Sequence, residues 1–376
     1  MPPRFPRLPR TDRRVIAGLG AGTLVVLLLA YGWWRQQTPI PVALGIDLPL
    51  TAGGAIDPSD KNTADLYLEE HPNSRISIQN FYNSADPRLA PAELRQAMRE
   101  GVQFFINTQA SNNAVECLSL FRSPQALTIN VSATSTRLSD LDDSFLRIIP
   151  DLDVEQRAIA DQVNQLPGRR LLILQDTGNL TYTQPALNTF KARLQSRWQP
   201  VVRPLRYATY TPQELETLLQ QPFDGLYILG GAFLAPIGNM AQQFHRHHPQ
   251  APIVLTPWAR SAMIEAHAGD AAARVLQISP YPDARRDPVL RRYLQRFARR
   301  FGYEPYAMSI GTRQALELLD QAFRRGYRTP EDVKRYLLSQ PSHRTSLGTI
   351  RFNRTGDSQG GLQAYWLSPA EPSPSP

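Results

Sequence analysis

The chain has one cysteine, Cys117, so it cannot close a disulfide within itself, and its cysteine usage says nothing of compartment. Common catalytic signatures are missing too: there is no G-x-S-x-G elbow, no H-E-x-x-H and no P-loop, and nothing in the sequence argues for an enzyme or a cofactor. Asp140, Asp142 and Asp143 lie close together, but no turn glycine and no bidentate glutamate completes a calcium loop, and a solvated turn is expected there. His245, Arg246, His247 and His248 read as the basic end of a helix rather than as a metal site. The net charge of +8 is not gathered into a basic stripe interleaved with aromatics, because half of it comes from Arg4, Arg7, Arg10, Arg13 and Arg14 set against Asp12. Arg296, Arg299 and Arg300 read as the solvated face of a helix, so no nucleic-acid partner is expected. What remains, 42% hydrophobic and 20% charged over 376 residues, is the composition of a globular protein long enough for two lobes with separate cores.

The run Val15–Trp34 is uncharged and long enough to cross a bilayer once as a helix. Tyr31, Trp33 and Trp34 fall where an interfacial aromatic belt would lie, and the arginines ahead of the run predict a cytoplasmic N-terminus. The expected layout is a basic cytoplasmic segment (1–14), a transmembrane helix (15–34), a linker (35–41) and a body on the periplasmic side of the plasma (inner) membrane. A cleaved signal peptide is the alternative, since Leu28–Ala30 loosely mimics a cleavage site, but Tyr-Gly-Trp-Trp-Arg is a poor start for a mature chain. No cysteine stands near the end of the run to carry a lipid.

Beyond the linker, apolar strand-like runs alternate with helical patterns. Strands are expected at Val42–Leu48, Ile76–Phe81 and Val102–Ile106. After Asp151 the alternation restarts, with Arg170–Leu174, Val201–Arg206, Gly225–Leu229, Pro252–Thr256 and Arg274–Ile278. Long amphipathic helices follow at Pro288–Phe301 and Tyr306–Arg325, and Thr349–Phe352 with Leu362–Leu367 reads as a closing pair of strands. The fold class is therefore α/β, with two parallel sheets covered on both faces, and a Pro/Ser tail (369–376) is expected to be disordered.

Two strands run into polar turns, Val102–Asn113 (VQFFINTQASNN) and Leu127–Leu138 (LTINVSATSTRL). Ligands of open α/β sheets bind beyond the carboxyl ends of the strands, where Ser111, Ser132 and Thr134 would lie. A helix start there suits a carboxylate. Taken singly, such residues also serve as helix caps and turn formers.

With these features in order, the sequence resembles the type I periplasmic binding proteins, in particular the leucine/isoleucine/valine-binding receptors of ABC transporters. The segments that carry the resemblance are Val131–Asp151 (VSATSTRLSDLDDSFLRIIPD), Phe301–Pro305 (FGYEP), Gly311–Phe323 (GTRQALELLDQAF) and Gly348–Asp357 (GTIRFNRTGD). The resemblance implies two hinged lobes, 42–152 plus 280–342 and 153–279 plus 343–368, closing on a small polar ligand that is passed to an ABC permease. An exported interaction module of the same fold, such as an activator of envelope synthesis, is the alternative. By the same resemblance, a ligand carboxylate would be held by the hydroxyls of Ser111 and Thr134 and by backbone N–H groups of the Ser132-Ala133-Thr134 turn. The second lobe would add Tyr182, Ala232 or Phe233, and a residue within IVLTPWARS. The family has an acid there that pairs with the ligand's ammonium group; here the place is taken by Trp258, with cation–π contact or Asp176 as the substitutes. The ligand is thus left open among amino acids, related carboxylates and amides. Ser111→Ala and Thr134→Ala are expected to weaken binding with little loss of stability.

Overall fold

A computed structural model of the chain describes Val26 and residues 38–47, 58–83, 86–230, 236–259, 264–306 and 308–367. The chain divides into two compact units, Met1–Ile40 and Pro41–Pro376. Apart from Val26, the apolar run Val15–Trp34 lies outside the described residues, as does the tail from 368 onward. Among the described residues no helix is long and apolar enough to cross a membrane.

The first lobe alternates strand and helix: β1 (Ile40–Asp47), α1 (Ser59–Glu70), β2 (Ile76–Asn83), α2 (Ala90–Arg99), β3 (Phe104–Asn107), α3 (Ser111–Glu116), α4 (Leu118–Phe121), β4 (Leu127–Asn130) and β5 (Phe145–Arg147). Its sheet runs β2-β1-β3-β4-β5, and the pairings from β1 through β3 and β4 to β5 are parallel. Every residue of β3 and β4 is buried, as a parallel sheet covered on both faces requires.

The second lobe follows with α5 (Leu152–Val163), β6 (Arg170–Asp176), α6 (Leu180–Arg193), β7 (Gln199–Leu205), α7 (Gln213–Leu219), β8 (Gly225–Leu229), α8 (Pro236–His247), β9 (Ile253–Leu255), α9 (Ile264–Ala268) and β10 (Val275–Ser279). The order of its sheet is β13-β10-β9-β8-β6-β7. All its pairings are parallel save one: β13 (Gln363–Trp366) runs antiparallel to β10. Pro200 and Pro204 sit on β7, the edge strand, where missing N–H donors cost little.

Between β10 and β13 the chain returns to the first lobe. It forms α10 (Pro288–Phe301), α11 (Ser309–Arg324), α12 (Pro330–Ser339), β11 (His343–Thr345) and β12 (Gly348–Ile350). Phe323 of α11 meets Phe104 of β3 edge to face at 4.9 Å, and Tyr293, Phe297 and Ile310 share a core with Leu66 of α1. The outer face of α10 is tied to α1 as well, through Arg296–Glu70 and Arg300–Glu69.

Several expectations change. Thr349–Phe352 and Leu362–Leu367 do not pair with each other. β12 closes a hairpin with β11, and β13 joins the second sheet. The hairpin is bound to first-lobe helices, through Gln314 to Thr345 and Leu347 and through the Glu317 carboxylate to Ser346, so it goes with the first lobe rather than the second. Asp143 is buried, not solvated. Its Oδ1 accepts the Phe145 N–H at 2.9 Å, and burial pushes its carboxyl up to about 6.

The lobes are joined by three crossings, after β5, after β10 and before β13. Arg147 fastens the first of these to the third. It is fully buried, and its Nη2 donates to Asp357 Oδ1 at 2.5 Å and to Ser139 Oγ at 2.6 Å, while Nη1 reaches the Ser135 carbonyl at 3.1 Å. The Arg147 N–H donates to the Gly356 carbonyl at 2.8 Å. Gly356 has φ +99°, and a Cβ there would lie 2.3 Å from Leu146 Cδ2. Two of the segments that carry the family resemblance, around Arg147 and around Gly356-Asp357, are therefore one physical device.

Candidate ligand-binding site

On the first lobe the two polar turns are stitched into one surface. Ser111 opens α3, and its Oγ accepts the N–H groups of Thr134 and Ser135, each at 3.1 Å. Asn130, at the end of β4, accepts the Ser132 and Ala133 N–H groups at 3.3 and 3.0 Å and donates to the Ala133 carbonyl at 2.8 Å. The Ser132 hydroxyl donates to the Gln109 carbonyl at 2.6 Å. Ser111, Ser132, Ala133 and Thr134 are all buried.

This arrangement changes what the turn can offer a ligand. The backbone N–H groups of Ser132, Ala133, Thr134 and Ser135 already have acceptors inside the lobe. A hydroxyl has one proton and two lone pairs. With both lone pairs of Ser111 Oγ engaged, only its O–H is left, and among the described residues it has no acceptor. The group left over is a donor, which suits a carboxylate or carbonyl oxygen.

On the second lobe, Tyr182 comes from the first turn of α6, Tyr227 from β8 and Trp258 from the 3-10 turn Pro257–Ala259 after β9. All three are buried; Tyr182 and Trp258 bond directly to a residue that the sequence reading did not single out, Glu155 of α5, and Tyr227 reaches it through Gln156. Trp258 Nε1–H donates to Glu155 Oε2 at 2.6 Å, Gln156 Nε2 donates to Oε1 at 2.8 Å, and the Tyr182 hydroxyl donates to the same Oε1. Tyr227 O–H donates to Gln156 Oε1 at 2.7 Å and so fixes the amide.

Glu155 is 1% exposed and has no ion-pair partner among the described residues. Burial pushes its carboxyl up to about 7, against the three hydrogen bonds, which favour the charged form. The phenols of Tyr182 and Tyr227 are pushed well above their ordinary value, first by burial and then by the charge of Glu155.

Helix α3, which carries Ser111, packs against α6, which carries Tyr182, and both helices follow the carboxyl ends of strands in their own sheets. Asp176 is not free to act as the ammonium partner. Its Oδ1 accepts the N–H groups of Gly178 at 2.9 Å and Tyr207 at 3.3 Å, which makes it a turn residue. Ala232 and Phe233 lie outside the described residues. The signal that could have found Glu155 and Gln156 is positional: with Leu152, Ile159, Ala160 and Val163 they complete the buried stripe of α5, where a polar pair is out of place unless it is partnered.

No family model matches the chain, and no curated protein matches it. Among solved structures the fold has clear counterparts. A solute-binding protein of an ABC transporter from Rhodopseudomonas palustris BisB5, in complex with 3,4-dihydroxybenzoic acid, superposes with a TM-score of 0.74 at 16% identity, over 87% of this chain and 93% of that one. The leucine-binding protein LivK from Thermotoga maritima gives 0.72 at 16% identity, over 88% and 95%. The substrate-binding protein LivJ from Streptococcus pneumoniae, in complex with isoleucine, gives 0.73 at 14% identity, over 88% and 96%. The fold is that of the type I solute-binding proteins of ABC transporters, as the sequence motifs implied. Each of these neighbours is named as a binding protein, not as an enzyme.

Proposed function

We propose that the chain is an extracytoplasmic solute-binding receptor that closes its lobes on a small polar ligand and delivers it to an ABC permease. The observation that supports this reading is a pair of unlike polar clusters, one at the strand ends of each sheet, on lobes whose helices α3 and α6 pack together. One is the Ser111 hydroxyl with its remaining proton, set beside Ser132, Ala133 and Thr134; the other is the Tyr182–Glu155–Trp258 group. A donor on one wall and an acid on the other suit a ligand with an oxygen acceptor at one end. Closure would act through the three crossings, and the ligand would shift the lobes toward the closed form by the contacts that only the closed form makes. The uncharged run Val15–Trp34, preceded by arginines, supports retention at the inner membrane as a single-pass anchor.

A thermal-shift and calorimetric screen over amino acids, small amides and short carboxylates tests the reading. Saturable stabilisation by one class is expected, whereas a folded protein that binds none of them at millimolar concentration refutes it. Crosslinking in cells tests the partner: recovery of a permease is expected, and recovery of an envelope-synthesis enzyme in its place would favour an interaction module of the same fold.

A further inference from the structure

Helix α10 buries Leu290, Tyr293 and Phe297 against the first lobe, and past its first turn the exposed positions are Arg291, Arg292, Gln295, Arg296, Arg299 and Arg300. The helix holds no acidic residue. Two of the arginines are balanced from α1, Arg296 by Glu70 at 2.9 Å and Arg300 by Glu69 at 2.8 Å. The others are not. Arg291 reaches only the Arg285 carbonyl, and Arg292 and Arg299 meet no carboxylate among the described residues. Arg292, Arg296 and Arg300 also follow one another four residues apart, where like charges on a helix repel. Such a row is relieved by an anionic surface. We propose that the arginine face of α10 docks on the anionic headgroups of the bilayer and holds the first lobe against the membrane.

The charge argument stands on the helix alone, whereas the choice of a lipid surface rests on the retention at the inner membrane proposed above. Glu69 and Glu70, which receive two of the arginines, end α1. Near that end the Tyr67 hydroxyl donates to Asp320 of α11 at 2.9 Å, and Phe323, one turn on, packs on Phe104 at the start of β3. Phe104 stands beside Val42 of β1 in register. The arginine row therefore shares a side of the lobe with the start of β1. From Trp34, where the uncharged run ends, to Ile40, where β1 begins, the chain spans at most about 20 Å. With that run in the bilayer, this side of the lobe is kept close to the headgroups. There each basic side chain strengthens binding to an anionic surface about fivefold. A guanidinium gives a phosphate two parallel N–H bonds, which suits a lipid headgroup. Tyr293 and Phe297 are buried, so the face offers no ring on which a nucleic-acid base could stack.

Arginine modification with phenylglyoxal, read by mass spectrometry, tests this on the full chain. The chain is reconstituted into vesicles of phosphatidylcholine alone, and of phosphatidylcholine with an equal part of phosphatidylglycerol. On the anionic vesicles Arg291, Arg292 and Arg299 are expected to react at least about 10-fold more slowly than on the neutral ones. Arg157 of α5, exposed on the second lobe, should react alike on both. Salt at about 0.5 M should abolish the difference. Arg291→Gln, Arg292→Gln and Arg299→Gln together should return Arg296 and Arg300 to their rates on neutral vesicles. All three side chains are exposed, so the substituted protein is expected to fold. Equal rates on the two kinds of vesicle overturn the proposal, as does protection that persists in high salt or in the substituted protein. Protection by polyglutamate, with none by anionic vesicles, would give the face to an acidic protein and overturns it too. An alkaline wash of the neutral vesicles reads the anchor separately. If the wash releases the chain, the anchor reading falls, and flotation of the free chain decides. At least about 10-fold more chain on anionic than on neutral vesicles at low salt upholds the arginine face, and equal flotation overturns it.

Discussion

Replacing Glu155 with glutamine should change how stability depends on pH, whatever the ligand is. In the folded protein the carboxyl titrates near 7, against an ordinary value of 4.5, and burial is the main cause. Between those two pH values the folded state holds a proton that the unfolded chain has released, so stability falls as pH rises through the window. At about 1.4 kcal/mol per pH unit, the loss approaches about 3 kcal/mol above pH 7. The amide cannot ionise, so the variant escapes it. The substituted side chain must set its N–H₂ against donors that now face carboxylate oxygens, but that cost does not vary with pH. Asp143, pushed up to about 6 by burial, adds a slope of the same sign in both proteins and cancels in the comparison. Urea unfolding of both proteins from about pH 4 to about pH 8, with matching m-values, measures the difference. The variant should gain about 3 kcal/mol on the unsubstituted protein across that range. Parallel curves, within about 0.5 kcal/mol at every pH, would refute the reasoning, because Glu155 would then be as easily charged folded as unfolded.

Other substitutions probe the first lobe and the crossings. Ser111→Ala should cost about 1–3 kcal/mol of stability in urea unfolding, because the buried N–H groups of Thr134 and Ser135 lose their acceptor. This differs from the expectation drawn from sequence, which was little loss of stability. Asp357→Asn should cost about 3–5 kcal/mol by the same measure, since Arg147 keeps its charge in a fully buried place. Gly356→Ala should cost about 1–3 kcal/mol, through its φ of +99° and the clash with Leu146.

Much of the fold was legible because its signals are local. Apolar runs such as Arg170–Leu174 and Gly225–Leu229, separated by helical patterns, mark buried parallel strands, and both lie in the second sheet. β5 gave no such signal. It is three residues long, ends in an arginine, and is a strand only because Thr128, Ile129 and Asn130 offer it a ladder. The pairing of β13 with β10 was equally invisible, since adjacency in sequence pointed to Thr349–Phe352. The first-lobe candidates stood out in the sequence because Ser and Thr in a strand-end turn are conspicuous. That the N–H groups of the same turn are already satisfied depends on Asn130 and Ser111 reaching across it, and spacing alone does not report this.

The second-lobe acid shows the same limit more sharply. Reading position by position, Trp258 replaces a carboxylate and the ammonium partner is lost. In space the indole does not remove the carboxyl group but is bonded to one, because Trp258 Nε1 donates to a glutamate 103 residues earlier in the chain. A site needs a charge at a point, and the backbone can bring that charge from any element that passes the point. Here α5 begins at the first crossing, with Asp151 capping it through the Val154 N–H at 2.9 Å, and this sets Glu155 one turn into the helix, against the second sheet. The cap fixes where the helix starts, and the helix fixes where the acid lies. A shift of the start by one residue would turn Glu155 about 100° away from Trp258. The place of Glu155 is therefore tied to the first crossing itself, so that a change in the Asp151 cap should disturb the bond from Trp258 to Glu155.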